Sequence, residues 1–197
     1  MIIKILDEWY NTETTKVIDL SENNLKNLPF ELGCFNNLKI LYLDDNEISE
    51  IPSWICNLKN LEYLFSNNNN NITVIPSEIG NLKNLKYLNF SNNRITKIPP
   101  EIGNLINLES FIFYNNNITE LPPEIGNLIN LKYLNCIKNE LKTIPLEIGK
   151  LNNLEELYCA HNGMFSIPIP SSIGNCTKLR IFDSKYDIHD ISPIYYK

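Results

Sequence analysis

The 197-residue sequence predicts an α/β solenoid, a curved right-handed superhelix with a parallel β-sheet on its concave side and helical or 3₁₀ turns on its convex side. Three observations predict it. A unit of about two dozen residues repeats along the chain, each unit opens with a short alternating apolar stretch, and a proline follows each stretch. Stacked units of this kind bury a continuous core that no single unit can bury alone.

The period is set by the leucine that opens each unit. Successive opening leucines are separated by 23, 24, 23, 23, 23 and 25 residues, at Leu38, Leu61, Leu85, Leu108, Leu131, Leu154 and Leu179. Counting back 23 residues from Leu38 starts the first unit at Thr15. We therefore expect an N-terminal cap over residues 1–14, seven repeats over residues 15–178, and a truncated eighth repeat with a C-terminal cap over residues 179–197.

The opening stretch of each unit is the predicted strand. In the pattern LxxLxL the fourth and sixth places are apolar, whereas the third, fifth and seventh places vary. This alternation is typical of a strand with one buried face. The third, fifth and seventh places are therefore predicted to face outward from the concave sheet.

The ninth place is an asparagine, where the chain must turn after the strand. An amide both donates and accepts hydrogen bonds, so an inward side chain can pair with the backbone of its own coil and of the next. One extra residue within "FSNNNNN" leaves the register of residues 65–70 open. The predicted ladder comprises Asn23, Asn46, Asn70, Asn93, Asn116, Asn139 and Asn162, with Asp187 in the eighth unit.

Proline fills the fifteenth place and starts the return path on the convex side, because it lacks an N–H and resists strand pairing. Serine or proline comes next and glutamate follows, as at the start of a helix. We expect a helical or 3₁₀ turn here, with inward-facing isoleucines at Ile55, Ile79, Ile102, Ile125, Ile148 and Ile173.

The variable letters of the strand point to a binding surface. Aromatic and large apolar residues recur at outward places, and a soluble surface rarely keeps so many without use. The predicted concave protein-binding site comprises Tyr42, Tyr63, Tyr87, Ile112, Tyr114, Tyr133 and Tyr158, with acidic residues Asp19, Asp44 and Asp45. The alternative is that tyrosine simply suits an exposed strand.

The second place alternates in charge, through Lys39, Glu62, Lys86, Glu109, Lys132, Glu155 and Arg180. Opposite charges on neighbouring strands attract each other. We interpret this row as a device that holds the register of the stack, because exposed pairs of this kind are each worth under about 1 kcal/mol.

The net negative charge argues against two classes of partner. The net charge is −6, and residues 1–50 hold ten acids against four bases, whereas the rest of the chain holds thirteen of each. An acidic chain disfavours nucleic acid and anionic membranes as partners. No stretch reaches the ~20 apolar residues of a transmembrane helix, and "MIIKIL" is too short for the core of a signal peptide.

The cysteines favour a reducing compartment. Cys136 and Cys159 occupy the inward sixth place of successive units, about one strand spacing apart, so a disulfide between them stays open. The odd set of Cys34, Cys56, Cys136, Cys159 and Cys176 favours free thiols and the cytosol. Four glycosylation sequons argue weakly for secretion, at Asn71, Asn89, Asn117 and Asn175.

The sequence holds no pattern of catalytic residues, metal ligands or cofactor contacts. His161 falls in a turn after a strand, and His189 stands near Ser184, Asp187 and Asp190 in the final unit. Asp187 takes the ladder place, and an end cap is a poor site for a closed pocket. We therefore expect no enzyme activity, metal or cofactor.

The unit LxxLxLxxNxLxxIPxxIxxLxN resembles the leucine-rich repeat over about residues 15–194. Its 23-residue class is similar to Ras-suppressor-like proteins, plant intracellular Ras-group proteins and bacterial leucine-rich repeat proteins. The resemblance implies a non-catalytic protein-interaction module, an adaptor or scaffold in cytoplasmic signalling. It also implies a protein partner such as a small GTPase or another signalling protein, and we expect a monomer. The alternative is a secreted or surface receptor or effector fragment that binds a peptide or glycan.

Overall fold

The computed structural model describes residues 1–163 and 167–184, and its main element is an eight-stranded parallel sheet whose strands follow one another in chain order. We number the coils one to eight after their strands. The strands are β3 (Val17–Asp19), β4 (Ile40–Tyr42), β5 (Tyr63–Phe65), β6 (Tyr87–Asn89), β7 (Ser110–Ile112), β8 (Tyr133–Asn135), β9 (Glu156–Tyr158) and β10 (Ile181–Asp183). The α/β solenoid is thereby confirmed.

The register joins each place of one coil to the same place of the next. Tyr63 lies opposite Tyr87, and Ser110 lies opposite Tyr133. The fourth place, such as Leu64, is fully buried, and in β5 its neighbours on both sides are partly exposed. In β6, β7 and β8 only the third place is partly exposed, because the fifth place is buried. The predicted alternation of buried and outward places is therefore present in part of the sheet.

A two-stranded antiparallel hairpin precedes the sheet, with β1 at Ile2–Ile5 and β2 at Glu8–Asn11. Ile5 is buried in the core, and the ring of Tyr10 meets Phe35 edge-on at 6.1 Å. The hairpin thus covers apolar side chains of coil one. The division into caps and seven repeats stays a prediction. Asp187, His189, Asp190 and the predicted return proline Pro193 lie outside the described residues.

Each return path forms a short 3₁₀ helix, and a proline with an extended backbone directly precedes each of these helices. The predicted inward isoleucines are fully buried in them, except Ile173, which is only partly buried against the core. The helices are Phe30–Cys34, Ser53–Asn57, Ser77–Asn81, Pro100–Asn104, Pro123–Asn127, Leu146–Lys150 and Ser171–Asn175.

The 3₁₀ helices of neighbouring coils approach closely at the glycine that follows the isoleucine. A Cβ added at Gly126 would lie 2.6 Å from the carbonyl oxygen of Glu147 in the next coil. Only a residue without a side chain fits this contact. The recurring "IG" of the sequence is therefore a packing requirement of the convex side.

The asparagine ladder is confirmed for the middle coils. Asn116 donates through Nδ2 to the carbonyls of Phe90 (2.9 Å) and Phe113 (3.0 Å), and its Oδ1 accepts from the N–H of Ile95 (2.9 Å). A side chain of one coil thus satisfies buried backbone groups of two coils. Each ladder side chain also donates to the preceding coil at Asn46, Asn93, Asn116, Asn139 and Asn162.

The prediction of Asn70 as the ladder residue of coil three is wrong. Asn69 is the buried residue, donating to the Leu43 carbonyl and accepting from the Ile48 N–H, each at 3.1 Å. Asn69 stands eight residues after Leu61, the same spacing as in the other coils, so the inserted residue comes after the ladder place. Asn70 is exposed there with a φ of 60°.

Asn23 is also not a buried ladder member. It is exposed, and its Nδ2 donates to the Ser21 carbonyl of its own coil at 2.7 Å. Its backbone N–H donates to Asn46 Oδ1 at 3.1 Å. Coil one is the first of the sheet, so this amide has no preceding coil to join.

Candidate functional site

The candidate site is the sheet face, which we define as the outward side chains at the third, fifth and seventh places of the coils. Most of its aromatic residues are half-buried, including Tyr42, Tyr63 and Tyr133. Each ring packs along the sheet yet keeps an exposed part. Aromatic rings in this state bury apolar area readily when a partner binds.

Two aromatic clusters lie on the sheet face. The rings of Tyr42 and Phe65 stack at 4.7 Å with an interplanar angle of 16°, and Phe65 meets Tyr87 at 4.7 Å. Further along, Tyr133 and Tyr158 meet at 5.4 Å. The first cluster spans coils two to four, and the second spans coils six and seven.

Coil five interrupts the predicted row. Its third place is Ser110, and its fifth-place residue, Ile112, is only 7% exposed. The prediction of Ile112 as an outward binding residue is therefore wrong, because its side chain lies sunk between its neighbours. The flanking fifth places are also buried, at Asn89 and Asn135.

A half-open niche of about 210 Å³ lies over coil five. Its lining side chains come from the second and third places of coils three to six: Tyr63, Lys86, Tyr87, Glu109, Ser110, Lys132 and Tyr133. The niche exists because a serine replaces the tyrosine that flanking coils carry at the same place. Ser110 Oγ is buried and has no hydrogen-bond partner among the described residues.

The charged second places form ion pairs along one edge of the face, as predicted. Glu62 bonds to Lys39 at 2.5 Å and to Lys86 at 2.7 Å, and these hydrogen bonds hold the pKa of Glu62 below its usual value. Glu109 pairs with Lys132 at 2.6 Å. Arg180 pairs with Glu155. The alternating row therefore joins neighbouring coils in register.

The N-terminal end of the face is acidic. Asp44 is largely enclosed, and burial raises its pKa from 3.8 to about 7, with the nearby charges of Asp45 and Asp19 adding to the shift. The N–H of Asn67, which donates to Asp44 Oδ1 at 2.9 Å, opposes it. Beside this end lies an open hollow of about 490 Å³, lined by Glu8, Tyr10, Val17, Asp19, Ser21 and Glu22.

The eighth place carries a second row of amides that the sequence interpretation missed. Asn115 donates to Asn92 at 2.7 Å, Asn92 to Asn68 at 2.6 Å, and Asn68 to the carboxylate of Asp45 at 2.9 Å. All four residues have φ between 52° and 57°, a conformation in which asparagine and aspartate are enriched. The run of asparagines at one place was the available signal. Tyr114 joins this row, because its hydroxyl accepts from Asn92 Nδ2 at 3.1 Å.

A third row of amides lies just before the strands of coils two to seven. The asparagine before the opening leucine of these coils donates through Nδ2 to a backbone carbonyl about one repeat earlier, for example Asn107 to Lys83 and Asn130 to Ile106, both at 2.8 Å. The residue letter was part of the repeat pattern, but its role was not assigned. It is structural and exposed, and it does not belong to the sheet face.

The remaining potentially reactive side chains of the described residues are the cysteines and His161. All five cysteines are free thiols, and burial raises the pKa of Cys136 well above its usual value and that of Cys159 to about 12. His161 lies at the eighth place with a φ of 55°. Within the described ranges, no three His, Cys, Asp or Glu side chains are grouped to hold a metal. No helix among these residues is long and apolar enough to cross a membrane.

Comparisons with known proteins give one family. A profile described as "Leucine-rich repeat region" matches residues 73–192, and a "Leucine Rich Repeat" profile matches residues 37–58. No curated protein matches the chain significantly. Because 480 solved chains match, the shared fold does not by itself select a partner.

Three solved structures illustrate the similarity. A leucine-rich repeat protein of Leptospira interrogans is 33% identical over 89% of this chain and 50% of its own, with a TM-score of 0.77. The ectodomain of the Arabidopsis thaliana membrane receptor kinase GASSHO1/SCHENGEN3, solved in complex with Casparian strip integrity factor 2, is 32% identical over 84% of this chain and 20% of its own, with a TM-score of 0.73. An internalin of Listeria monocytogenes is 25% identical over 89% of this chain and 49% of its own, with a TM-score of 0.75. The chain thus spans about half of each bacterial structure and a fifth of the plant one.

Proposed function

Because the chain belongs to the leucine-rich repeat family, we propose that it is a non-catalytic adaptor or scaffold that binds a partner protein on the concave sheet face. Proteins of this family are generally protein-interaction modules. The observation that carries the choice of face is the pair of half-buried aromatic clusters around Phe65 and Tyr133. Half-buried rings supply apolar area at a small cost in side-chain freedom, which is why they dominate binding energy at interfaces.

The charges of the face define the partner further. Asp19 and Asp45 are exposed at the N-terminal end of the face, next to the aromatic cluster of coils two to four. A partner with an exposed apolar segment and neighbouring basic residues complements both parts. The aromatic part should control dissociation, whereas the acidic part should accelerate association and make it sensitive to salt. A small GTPase or another signalling protein is the partner class that the family resemblance favours.

A capture experiment tests the assignment of the face. Tagged wild-type chain is used to capture partners from the native cell, beside a Tyr87→Ala/Tyr133→Ala double variant. We expect the double variant to bind at least about a hundredfold more weakly, the loss typical of removing two interface hot spots. The melting curve of each variant is measured in parallel, since Tyr87 and Tyr133 also contact neighbouring rings.

The matched control removes apolar residues from the opposite side. Phe30 and Leu146 each begin a convex 3₁₀ helix and are 76% and 68% exposed. A Phe30→Ala/Leu146→Ala variant should capture the partner as the wild type does. Equal capture by the concave double variant, or a loss confined to the convex one, would reject the sheet face.

We also propose that the protein is cytoplasmic and monomeric, with all five cysteines reduced. Intact mass before and after reduction tests the redox state, because each disulfide changes the mass by two hydrogens. Cys136 and Cys159 should resist thiol reagents in the folded protein, because they are buried and the thiolate is the reactive form. Light scattering tests the monomer.

The second candidate is a secreted or surface receptor or effector fragment that binds a peptide or glycan. Three sequon asparagines favour it, because Asn71, Asn117 and Asn175 are exposed. The structure of the plant receptor ectodomain, solved in complex with Casparian strip integrity factor 2, also supports it by similarity. Asn89 does not, since it is buried and donates to Asn67 at 3.3 Å. Glycans found by mass spectrometry on protein from its native source would favour this candidate over the cytoplasmic one.

A further inference from the structure

We propose that the niche over coil five is a subsite for one tyrosine side chain of an extended segment of the partner, and this inference rests on the proposed binding at the sheet face. The third places of coils four, five and six are Tyr87, Ser110 and Tyr133, and the sheet aligns them directly. The two tyrosines therefore stand two strand spacings apart, about 9–10 Å. The serine between them leaves a gap that is one aromatic ring wide.

The protein's own rings give the spacing that such a guest needs. Tyr42 and Phe65 stand on adjacent coils of the same face and stack at 4.7 Å. A ring placed between Tyr87 and Tyr133 would lie at a similar distance from each, within the 4.5–7 Å range of favourable aromatic pairs. The niche of about 210 Å³ is below the usual size of a small-molecule pocket, so it suits one side chain rather than a whole ligand.

The polar groups of the niche select among planar side chains. Lys86, Glu109 and Lys132 line the niche, and each lysine forms an ion pair, Lys86 with Glu62 and Lys132 with Glu109. The charges around the niche are therefore balanced, which favours an uncharged planar guest over arginine or an anion. Ser110 Oγ is buried without a hydrogen-bond partner among the described residues, and such groups usually have one. A phenol supplies the ring, and its hydroxyl can bond to Ser110 once the serine side chain, whose oxygen is covered in the unbound protein, rotates toward the guest. Tyrosine therefore fits better than phenylalanine.

The acidic end of the face sets the position of basic residues in the same segment. Asp44 and Asp45 follow β4 and Asp19 ends β3, which lie three and four strands from Ser110 in β7. Across the strands these separations are about 14 and 19 Å. Asp44 and Asp19 also lie four and two places further along their strands than Ser110, which brings both distances to about 20 Å. Because an extended chain covers about 3.3 Å per residue, the segment should carry a basic residue about six positions from the tyrosine.

Peptide selection followed by two variants of one residue tests this subsite. A random twelve-residue phage library is selected on the immobilised full chain, and enriched peptides are titrated against variants by fluorescence polarisation. Ser110→Tyr fills the gap with the ring that coils three, four and six already carry at this place, so the sheet accommodates it. Ser110→Ala keeps the gap and removes only the hydroxyl.

We expect enriched peptides to hold a tyrosine with a basic residue about six positions away. Ser110→Tyr should weaken them about tenfold or more, a change of about 1.4 kcal/mol, whereas Ser110→Ala should weaken them clearly less. A tyrosine-to-leucine peptide should lose about as much on the wild-type protein as the parent peptide loses on Ser110→Tyr. The loss caused by the tyrosine-to-leucine change is itself measured on the wild-type protein, so it still tests the subsite if Ser110→Tyr does not fold. A tyrosine-to-leucine peptide that binds the wild type as the parent does would then overturn the subsite.

The outcomes separate the subsite from the proposed function. Peptides that lose affinity for the Tyr87→Ala/Tyr133→Ala variant but bind Ser110→Tyr unchanged would overturn the subsite and leave the sheet face in place. Peptides indifferent to all three variants would overturn both. A selection that enriches no peptide would overturn the subsite alone, because the capture experiment tests binding of a folded partner independently.

Discussion

The ladder asparagine at the junction between coils three and four lacks a hydrogen bond that its counterpart makes at the junction between coils four and five. At the regular junction, Asn116 Oδ1 accepts from the Ile95 N–H at 2.9 Å. At the irregular one, Asn93 Oδ1 is buried and has no partner among the described residues. The inserted Asn70 lies just before the segment that would supply the donor. A repeat can therefore absorb an extra residue at the cost of one ladder bond, while strands and return helices on both sides keep their register.

The largest expected effect comes from removing the ladder side chain itself. Asn116→Leu removes three ladder hydrogen bonds and leaves the buried Ile95 N–H without its acceptor. The Phe90 and Phe113 carbonyls keep the bonds that Asn93 and Asn139 donate, so we expect unfolding to become easier by about 3 kcal/mol. Asn93→Leu removes the donors to Ser66 and Phe90 but no accepted bond, so its cost should be smaller by about 1–3 kcal/mol. Denaturant unfolding measures both. Equal losses would show that the insertion does not impair the ladder.

The convex side offers a second comparison, between a glycine that packs closely against the next coil and one that does not. Gly126→Ala pushes a Cβ to within 2.6 Å of the Glu147 carbonyl oxygen, and we expect a cost of about 1–3 kcal/mol from overpacking. At Gly33 the same Cβ would meet only Trp54 at 3.6 Å, so Gly33→Ala is the control. It should be neutral or stabilise by up to about 1 kcal/mol through the unfolded chain. The melting temperature should fall for Gly126→Ala and stay level or rise for Gly33→Ala. A Gly126→Ala protein that melts like the wild type would count against close convex packing.

A third expected effect depends on pH and concerns the junction between coils two and three. Asp44 in coil two accepts from Asn67 of coil three, and its folded pKa of about 7 exceeds the ordinary 3.8. The folded state therefore holds a proton that the unfolded chain has lost, and Asp44 lowers stability as pH rises from about 4 to 7. Asp44→Asn keeps the acceptor and removes the charge. It should flatten this slope and stabilise the protein above pH 7 by about 1–2 kcal/mol, allowing for partial exposure.

Unfolding measured at pH 4.5 and pH 8 checks this difference. Asp45→Asn is the matched control, because Asp45 is exposed and the substitution is chemically the same. A wild-type protein whose stability difference from Asp44→Asn does not change with pH would place the Asp44 pKa near its ordinary value.

The smallest expected effect comes from deleting the inserted residue, which should remove the difference between the two junctions. Deleting Asn70 restores a 23-residue spacing from Leu61 to Leu85, which should bring an N–H of coil three to Asn93 Oδ1. We expect a gain of about 1 kcal/mol, one recovered hydrogen bond. Asn70→Gly is the control, since glycine accepts the φ of 60° but keeps the insertion. A deletion that gains nothing over the control would mean that the insertion is not what leaves Asn93 unpaired.

The predictable part of the fold is the part that every unit repeats. The strand, the ladder and the return helix each follow from a residue type at a fixed place, because each coil contacts only its neighbours. The failure at Asn70 arose where five asparagines follow one another, so that residue type no longer marks a place. Counting from Leu61 distinguishes Asn69 from Asn70, because the distance from strand to ladder is set by backbone geometry.

The site was less predictable, because it depends on how side chains of different coils fill shared space. The outward places were predicted correctly at Tyr42 and Tyr133, which are half-buried on the face, and wrongly at the buried fifth places of coils four to six. Whether Ile112 protrudes is decided by its neighbours on adjacent strands, which cover it to 7% exposure. The niche at Ser110 likewise arises from the two rings beside it, and the sequence of coil five alone does not contain it.

The one-to-one register of the strands fixes distances along the sheet face in steps of one coil. Every coil adds one strand spacing, about 4.8 Å, between any two features on the sheet face. The acidic end and the niche at Ser110 are separated by whole coils, so duplication or loss of a 23-residue unit between them would change their distance by a fixed step. Such a step equals about one and a half residues of an extended partner chain. A chain of this kind can therefore alter the spacing that it recognises by copying a unit, without changing any residue that makes a contact.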